Sequence, residues 1–332
     1  MSLKESVKQL QKKEHITQEE LFSRLACSRS SLMETQTIEA KTAFELAFGS
    51  ISDCDSCESD NGSKRTKELE KLLPWVRKFP IRALQKTGHI PENVKDADLV
   101  RAIFKFLQIG SIAGFEKYYS TTLQSANPQT YAAWIRLGEL QVVRKATDFT
   151  PDQEAILANL KFLRKNLFFH YQSVRLIASE ALKSCGIEYI EVEPFLTAPT
   201  PICAFYWRGS RPVIQFPTTK MDDSKYLGAL FHAIGHLLQH PKRIVCLQLG
   251  MNGNSKTDQN IPEIEAEKFA QDMLLSEAEE CELICCGRFS ERRCIQHFSG
   301  LFHVRPGILV ERLQQQGKIN RRSPLNDFKI AV

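Results

Sequence analysis

Residues 231–240 read Phe-His-Ala-Ile-Gly-His-Leu-Leu-Gln-His and set His232 and His236 four apart in an apolar frame. On a helix, side chains at i and i+4 share a face, so both imidazoles can reach one tetrahedral metal ion from a single rigid element. The spacing is that of the metal-hydrolysis pattern His-Glu-x-x-His, in which the glutamate takes a proton from metal-bound water. Here Ala233 holds the place of that glutamate. A methyl group cannot act as a base.

A metal held this way needs a third protein ligand. Downstream, residues 262–270 read Pro-Glu-Ile-Glu-Ala-Glu-Lys-Phe-Ala. Pro262 suits the first turn of a helix, which then holds Glu263 and Glu267 on one face and Glu265 about 160° away. Glu263 is the favoured ligand, with Glu265 or His240 as replacements. His240 lies a further four residues beyond His236, where Pro241 frays the helix. Each feature alone has a plainer explanation. A histidine pair on an apolar helix is usually a hydrogen-bonded core pair, and an acidic first turn is favoured by the helix dipole.

The elements that must position these side chains follow from periodicity. Leu99, Ile103, Phe104, Phe106 and Leu107, and then Tyr131, Trp134, Ile135, Leu137 and Leu140, have amphipathic helical spacing, and their aromatics are expected in the core. Helical patterns run to about Ser184, and around Gly186 the period changes. Ile187 to Val192, Ile202 to Trp207 and Val213 to Phe216 read as strands of a small sheet, with a turn at Gly209-Ser210 and Pro212 suggesting an edge position. Ser224 to His240 then reads as a helix closed by Pro241, and Pro262 to Ser276 as a second. A helical tail includes Pro306 to Gln316, with Gly317 as C-cap. Residues 51–67 are polar and turn-forming without apolar periodicity, and read as a linker.

A sheet, a His-x-x-x-His helix and a later Glu-x-Glu-Ala-x-x-Phe-Ala helix followed by Met273-Leu274-Leu275 resemble the ImmA/IrrE family of zinc metallopeptidase-like proteins. The resemblance covers roughly Leu72 to Ile319. Residues 75–80 (Trp-Val-Arg-Lys-Phe-Pro), 88–91 (Gly-His-Ile-Pro) and 208–215 (Arg-Gly-Ser-Arg-Pro-Val-Ile-Gln) are similar to segments of its longer, antitoxin-type members. It implies a Zn(2+) site made by His232, His236 and Glu263, and a small toxin as a protein partner, docking near the 202–216 hairpin. Ala233 departs from the family's base, so the implied site binds metal without the motif's chemistry. In the alternative reading of an active zinc peptidase, Glu265, Glu267 or another carboxylate replaces that base.

Residues 17–32 (Thr-Gln-Glu-Glu-Leu-Phe-Ser-Arg-Leu-Ala-Cys-Ser-Arg-Ser-Ser-Leu) have the rhythm of a helix, a short turn and a second helix capped by Ser28. They resemble the Cro/CI-type helix-turn-helix. The resemblance implies operator DNA as a partner, with Gln18 on the backbone and Arg29, Ser30 and Ser31 near base edges. Phe22 stands where that family prefers a small residue, and Ala26 where it prefers glycine. A helical hairpin used for homodimerisation is the alternative for this region.

Composition bounds the rest. With 332 residues, 42% hydrophobic and 25% charged, the chain can bury more than one core, which excludes a wholly disordered protein. A net charge of +5 permits a nucleic-acid partner without arguing for one. No apolar run approaches membrane-helix length and the first residues lack a signal-peptide core, so a cytoplasmic location is expected. The ten cysteines are not spaced as a secreted disulfide framework. Cys54 and Cys57 read as two solvated thiols. Cys281, Cys285, Cys286 and Cys294, near His297, read as buried reduced thiols rather than a second metal cluster.

The expected architecture is therefore α+β and predominantly helical. It comprises a helix-turn-helix-like region over 1–50, a linker over 51–67, a helical middle region over 68–184 and a minimal zincin-like domain over 185–332. The expected function is that of a transcriptional regulator or antitoxin-like protein, with a peptidase-like domain that binds metal but is catalytically impaired.

Overall fold

The structure is a computed structural model, and it describes residues 2–14, 16–49, 59–142, 152–169, 174–240, 245–249 and 261–332. It is mostly helical with one small mixed sheet.

The N-terminal unit contains α1 (Leu3–Glu14), α2 (Gln18–Leu25), α3 (Arg29–Met33) and α4 (Ile38–Phe48). Thr17, Ser28 and Thr37 each accept a backbone N–H at the start of α2, α3 and α4, as N-cap hydroxyls do. Between α2 and α3, Ala26 takes the left-handed conformation itself, at φ 52°, and donates its N–H to the Ser23 carbonyl. The turn therefore forms without glycine, against a side-chain penalty of roughly 1–2 kcal/mol. Phe22 is half-buried and joins the core of this unit.

Next come α5 (Ser59–Glu70), α6 (Leu73–Val76), α7 (Ile81–Lys86), α8 (Asp96–Leu107), α9 (Ile112–Tyr118) and α10 (Pro128–Gln141). The linker expectation for 51–67 is corrected over part of its length. Ser59 onward is helical, because Lys67 to Glu70 extend the segment far enough to bury Leu69, and residues 51–58, with Cys54 and Cys57, lie outside the described residues. The residues expected in the core of α8 and α10 are buried from Leu99 to Leu107 and at Tyr131, Trp134 and Ile135, whereas Leu140 is exposed.

After α11 (Gln153–Phe169) and α12 (Val174–Ser184), Gly186 at φ 74° leads into β1 (Glu188–Val192). β2 (Cys203–Arg208) and β3 (Arg211–Pro217) form a hairpin about Gly209, at φ 64°. With β4 (Val245–Gln248) the strand order is β1-β3-β2-β4; β1 runs parallel to β3, and the other pairs are antiparallel. Pro212 thus sits in an interior strand and not at an edge. Proline is tolerated because β1 covers β3 only from Val213 onward, leaving Pro212 paired on the β2 side alone.

Strand alternation divides the core. Ala204, Tyr206 and Val213 face α10 and the helices around it, while Cys203, Phe205, Ile214 and Phe216 face α13 (Asp223–Gln239). On the first side, a Cβ on Gly138 of α10 would stand 1.9 Å from Gln215 Oε1, so glycine leaves room for the buried Gln215 amide between α10 and the sheet. On the second side α11 and α12 join the core of α13, so the helices of the expected middle region divide between the two faces. The chain continues with α14 (Ile261–Leu274), α15 (Glu277–Cys285), α16 (Arg292–Phe302) and α17 (Pro306–Gln315). No helix among the described residues is long and apolar enough to cross a membrane.

A buried ionic cluster ties the N-terminal unit to this body. Arg24 of α2 donates to both carboxylate oxygens of Glu139 of α10 at 2.8 Å, to Glu20 at 3.0 Å and to the Leu107 carbonyl at 2.7 Å. Arg136 and Tyr118 also donate to Glu139, and Arg208 of β2 lies 3.7 Å from it. Burial alone would raise the Glu139 pKa. Arg24, Arg208 and Arg136 outweigh it and hold the carboxyl well below the usual carboxylate range.

Candidate metal centre

α13 begins on Asp222, whose side chain accepts from the Lys225 N–H. The adjacent Asp223 is buried and receives Arg305 Nε at 2.6 Å and the Ile330 N–H at 3.1 Å. These contacts fix the start of the helix against the C-terminal segment. The other end presents His232 and His236, both buried, on the face met by α14.

The approach of α14 depends on small residues. A Cβ built on Gly235 would lie 3.1 Å from the Ala266 Cα, the Ala266 carbonyl and Phe269 Cδ1. With glycine there, the first turn of α14 reaches both histidines. Glu263 Oε2 is 3.2 Å from His232 Nε2 and 3.2 Å from His236 Nε2, and the two ring nitrogens are 3.0 Å apart.

These three donors form a nearly equilateral triangle, the one group of three His, Cys, Asp or Glu side chains among the described residues that could hold a metal ion. For zinc bonded at 2.0–2.1 Å, the edge of a tetrahedron is about 3.3 Å. The triangle is slightly tighter than one tetrahedral face, and the donor set of two imidazoles and a carboxylate is one that zinc accepts. The residues therefore fit a metal of this class.

Glu267, one turn after Glu263, approaches the far side of His232, with Oε2 at 3.2 Å from Nδ1. A carboxylate there accepts the Nδ1 proton and leaves the Nε2 lone pair facing the triangle, as the outer partner of a metal-bound histidine does. Burial alone would lower the His232 pKa; hydrogen bonds to Glu263 and then Glu267 reverse this, and the net shift is upward. Glu263 responds in the opposite sense. Burial pushes it up, but hydrogen bonds from His232 and His236 bring it well below the ordinary carboxylate range. The hydrogen bond from His232 is also the main reason that Glu267 is lowered.

The replacements considered for the ligand and for the base fall elsewhere. His240 directs Nε2 to the Pro262 carbonyl at 3.1 Å, with Glu265 at 3.6 Å, so this pair sits beside the N-terminus of α14 and not in the triangle. Glu267 engages the ring edge of His232 opposite the donor triangle, which is not where a base for bound water belongs. Ala233 is buried in the apolar core. Sequence reasoning placed Glu267 on the face of Glu263 but missed its pairing with His232; the i, i+4 repeat of two glutamates was the available signal.

Gln18, Arg29 and Ser30 are exposed, and the half-buried Ser31 shares a 2.7 Å hydrogen bond with Ser28. Gln18 opens α2, while Arg29, Ser30 and Ser31 form the first turn of α3. The hairpin expected to receive a partner is mostly interior: Cys203 to Tyr206 and Pro212 to Pro217 are buried between the two helical layers and between β1 and β4. Its strands lack an open edge for docking. The cysteine expectation is also corrected, because Cys281, Cys285 and Cys286 are exposed and Cys294 only half-buried. Their helical spacing faces the surface and leaves Leu283 and Ile295 to fill the core. No family model, curated protein or solved structure matches the chain.

Proposed function

We propose that the chain is a regulatory protein with a zinc-binding, peptidase-like body that has lost the motif's general base, and with an N-terminal helical unit that binds operator DNA. The observation that carries this reading is the His232, His236 and Glu263 triangle beside Ala233. Bound zinc supplies a Lewis acid and acidifies coordinated water. His232 and His236 hold it from one helix, Glu263 neutralises part of its charge, and Glu267 orients the His232 ring. No carboxylate of this group is placed to take a proton from a coordinated water. The metal in this reading stabilises α13 against α14 and has a structural or sensing role.

The DNA part rests on the capped α2-turn-α3 unit. Its outer side exposes Gln18, Arg29 and Ser30 while Arg24, on the inner side, is locked to Glu139. A small toxin bound as a protein partner, and a homodimer on the operator, belong to the same reading.

Elemental analysis of the purified protein tests the metal part, with about one zinc per chain expected and its loss in a His232→Ala/His236→Ala variant. A folded wild type that neither carries nor takes up zinc overturns it. For the DNA part, anisotropy with DNA from upstream of its own gene should show affinity that falls with salt and weakens on Arg29→Ala. Absence of that affinity leaves the N-terminal unit as a dimerisation element.

A further inference from the structure

α15 ends at Cys285, Cys286 follows it, and Cys294 lies in the first turn of α16. The Cys286 and Cys294 sulfurs are 3.1 Å apart, a separation that needs to shrink by only about 1 Å to reach a disulfide bond. Cys286 is exposed and Cys294 half-buried, so a small reagent reaches the first more readily than the second. Helices on both sides are anchored, through Leu283 on one and Ile295 and Phe298 on the other, in the core that also holds α13. The pair is thus held in register by packing rather than by chance rotamers on a loose loop. Neither cysteine belongs to the metal centre.

We propose that Cys286 and Cys294 form a thiol–disulfide exchange site that takes a small-molecule disulfide as its oxidant. Cys286 is the entering nucleophile. The Cys286 thiol donates to the Leu283 carbonyl at 2.9 Å, and once that proton is given up the Arg288 N–H, 3.4 Å from the sulfur, can donate to the thiolate. Burial and then the contact with Cys286 push the Cys294 thiol up to about 12, which leaves it protonated while Cys286 is reduced. The Cys286 thiolate, its proton given to solvent, attacks one sulfur of the oxidant; that S–S bond breaks and the first small thiolate leaves. Once Cys286 is in the mixed disulfide, its thiol no longer adds to the burial that holds Cys294 up, and the upward shift is smaller. Cys294 loses its proton to solvent and attacks the Cys286 sulfur, and the second small thiolate leaves. Two protein thiols are oxidised, one small disulfide is reduced to two thiols, and the two protons return to the released thiolates.

The bridge would join the end of α15 to the start of α16 across residues 287–293. Cys281 and Cys285, one helical turn apart on α15 with sulfurs 3.8 Å apart, serve as an internal comparison. The test is incubation of the full-length protein with excess oxidised glutathione, followed by alkylation of remaining thiols and peptide mass spectrometry. Cys286 and Cys294 should lose alkylation together, in one cross-linked peptide two hydrogens lighter than the sum of its parts, and dithiothreitol should restore both. Cys294→Ser should stop the reaction at glutathione bound to Cys286, and trypsin cleavage after Arg288 should slow only in the bridged wild type. A stable glutathione adduct on wild-type Cys286, a bridge confined to Cys281 and Cys285, or retention of both thiols overturns the proposal.

Discussion

Gly235 of α13 faces Ala266 of α14 so closely that a Cβ on the glycine would stand 3.1 Å from the alanine Cα and from its carbonyl oxygen. That separation lets Glu263 reach His232 and His236, since a wider gap would carry the first turn of α14 away from both rings. Gly235→Val should therefore act on the site through the backbone. Overpacking of this kind costs about 1–3 kcal/mol, so a lower Tm is expected together with weakened zinc uptake in a chelator competition. Unchanged zinc affinity would mean that α14 does not need this approach.

Glu267 gives a finer test, because it touches His232 on the nitrogen remote from the donor triangle. Glu267→Gln keeps the shape but removes the carboxylate that fixes the tautomer. Loss of such an outer partner typically weakens metal binding about 10- to 100-fold. The expected outcome is that loss in a competition titration with a chromophoric chelator, with the apoprotein destabilised by no more than about 1 kcal/mol through the weakened hydrogen bond to His232. Glu263→Gln should weaken binding further, since it exchanges a charged ligand for a neutral one.

The ionic cluster that anchors α2 makes a prediction about acid. The Glu139 carboxyl is held below its ordinary range, so its contribution is present above the unfolded value of about 4.3 and is lost as pH falls through the depressed folded value. Wild-type stability should fall below about pH 4 as this contribution goes. In Glu139→Gln, Arg24, Arg136 and Arg208 remain buried without their shared partner, a change that costs about 3–5 kcal/mol at neutral pH. Urea unfolding at several pH values checks both statements: the variant should be less stable at pH 7, with a shallower acid limb.

How much of this was legible in the sequence depended on the range of the physics involved. Local periodicity placed the histidine helix at Ser224 to His240, against an observed Asp223–Gln239, and the three strands around Gly186 and Gly209 within a residue or two. Pro262 and the glutamate spacing put Glu263 and Glu267 on the face that meets the histidines because an i, i+4 face is a local property. What escaped was long-range. Nothing near Arg24 announces a partner at Glu139, and α11 and α12 show only a helical period, not which face of the sheet they cover. Pro212 misled because its rule concerns the hydrogen-bond ladder at one residue, and β1 begins one residue later in register. The cysteines misled because a stretch with helical period still has an outer face.

Ala233 carries the last prediction. It follows His232 directly and is buried, and its methyl sits where the metal-hydrolysis pattern has its base. If that single side chain is what the site lacks, Ala233→Glu should restore a proton acceptor beside a site already built from His232, His236 and Glu263. General acid–base assistance is typically worth about 10² to 10⁴ in rate. Zinc-loaded Ala233→Glu should thus cleave an unstructured fluorogenic peptide at least about 10²-fold faster than the zinc-loaded wild type. Ala233→Gln has nearly the same shape but no basic carboxylate, so it separates the chemistry from any opening of the core and should stay at wild-type rate. Equal rates in all three proteins, with zinc bound in each, would show that the site lacks more than its base; an equal gain in the glutamine and glutamate variants would assign the gain to repacking around position 233 and not to proton transfer.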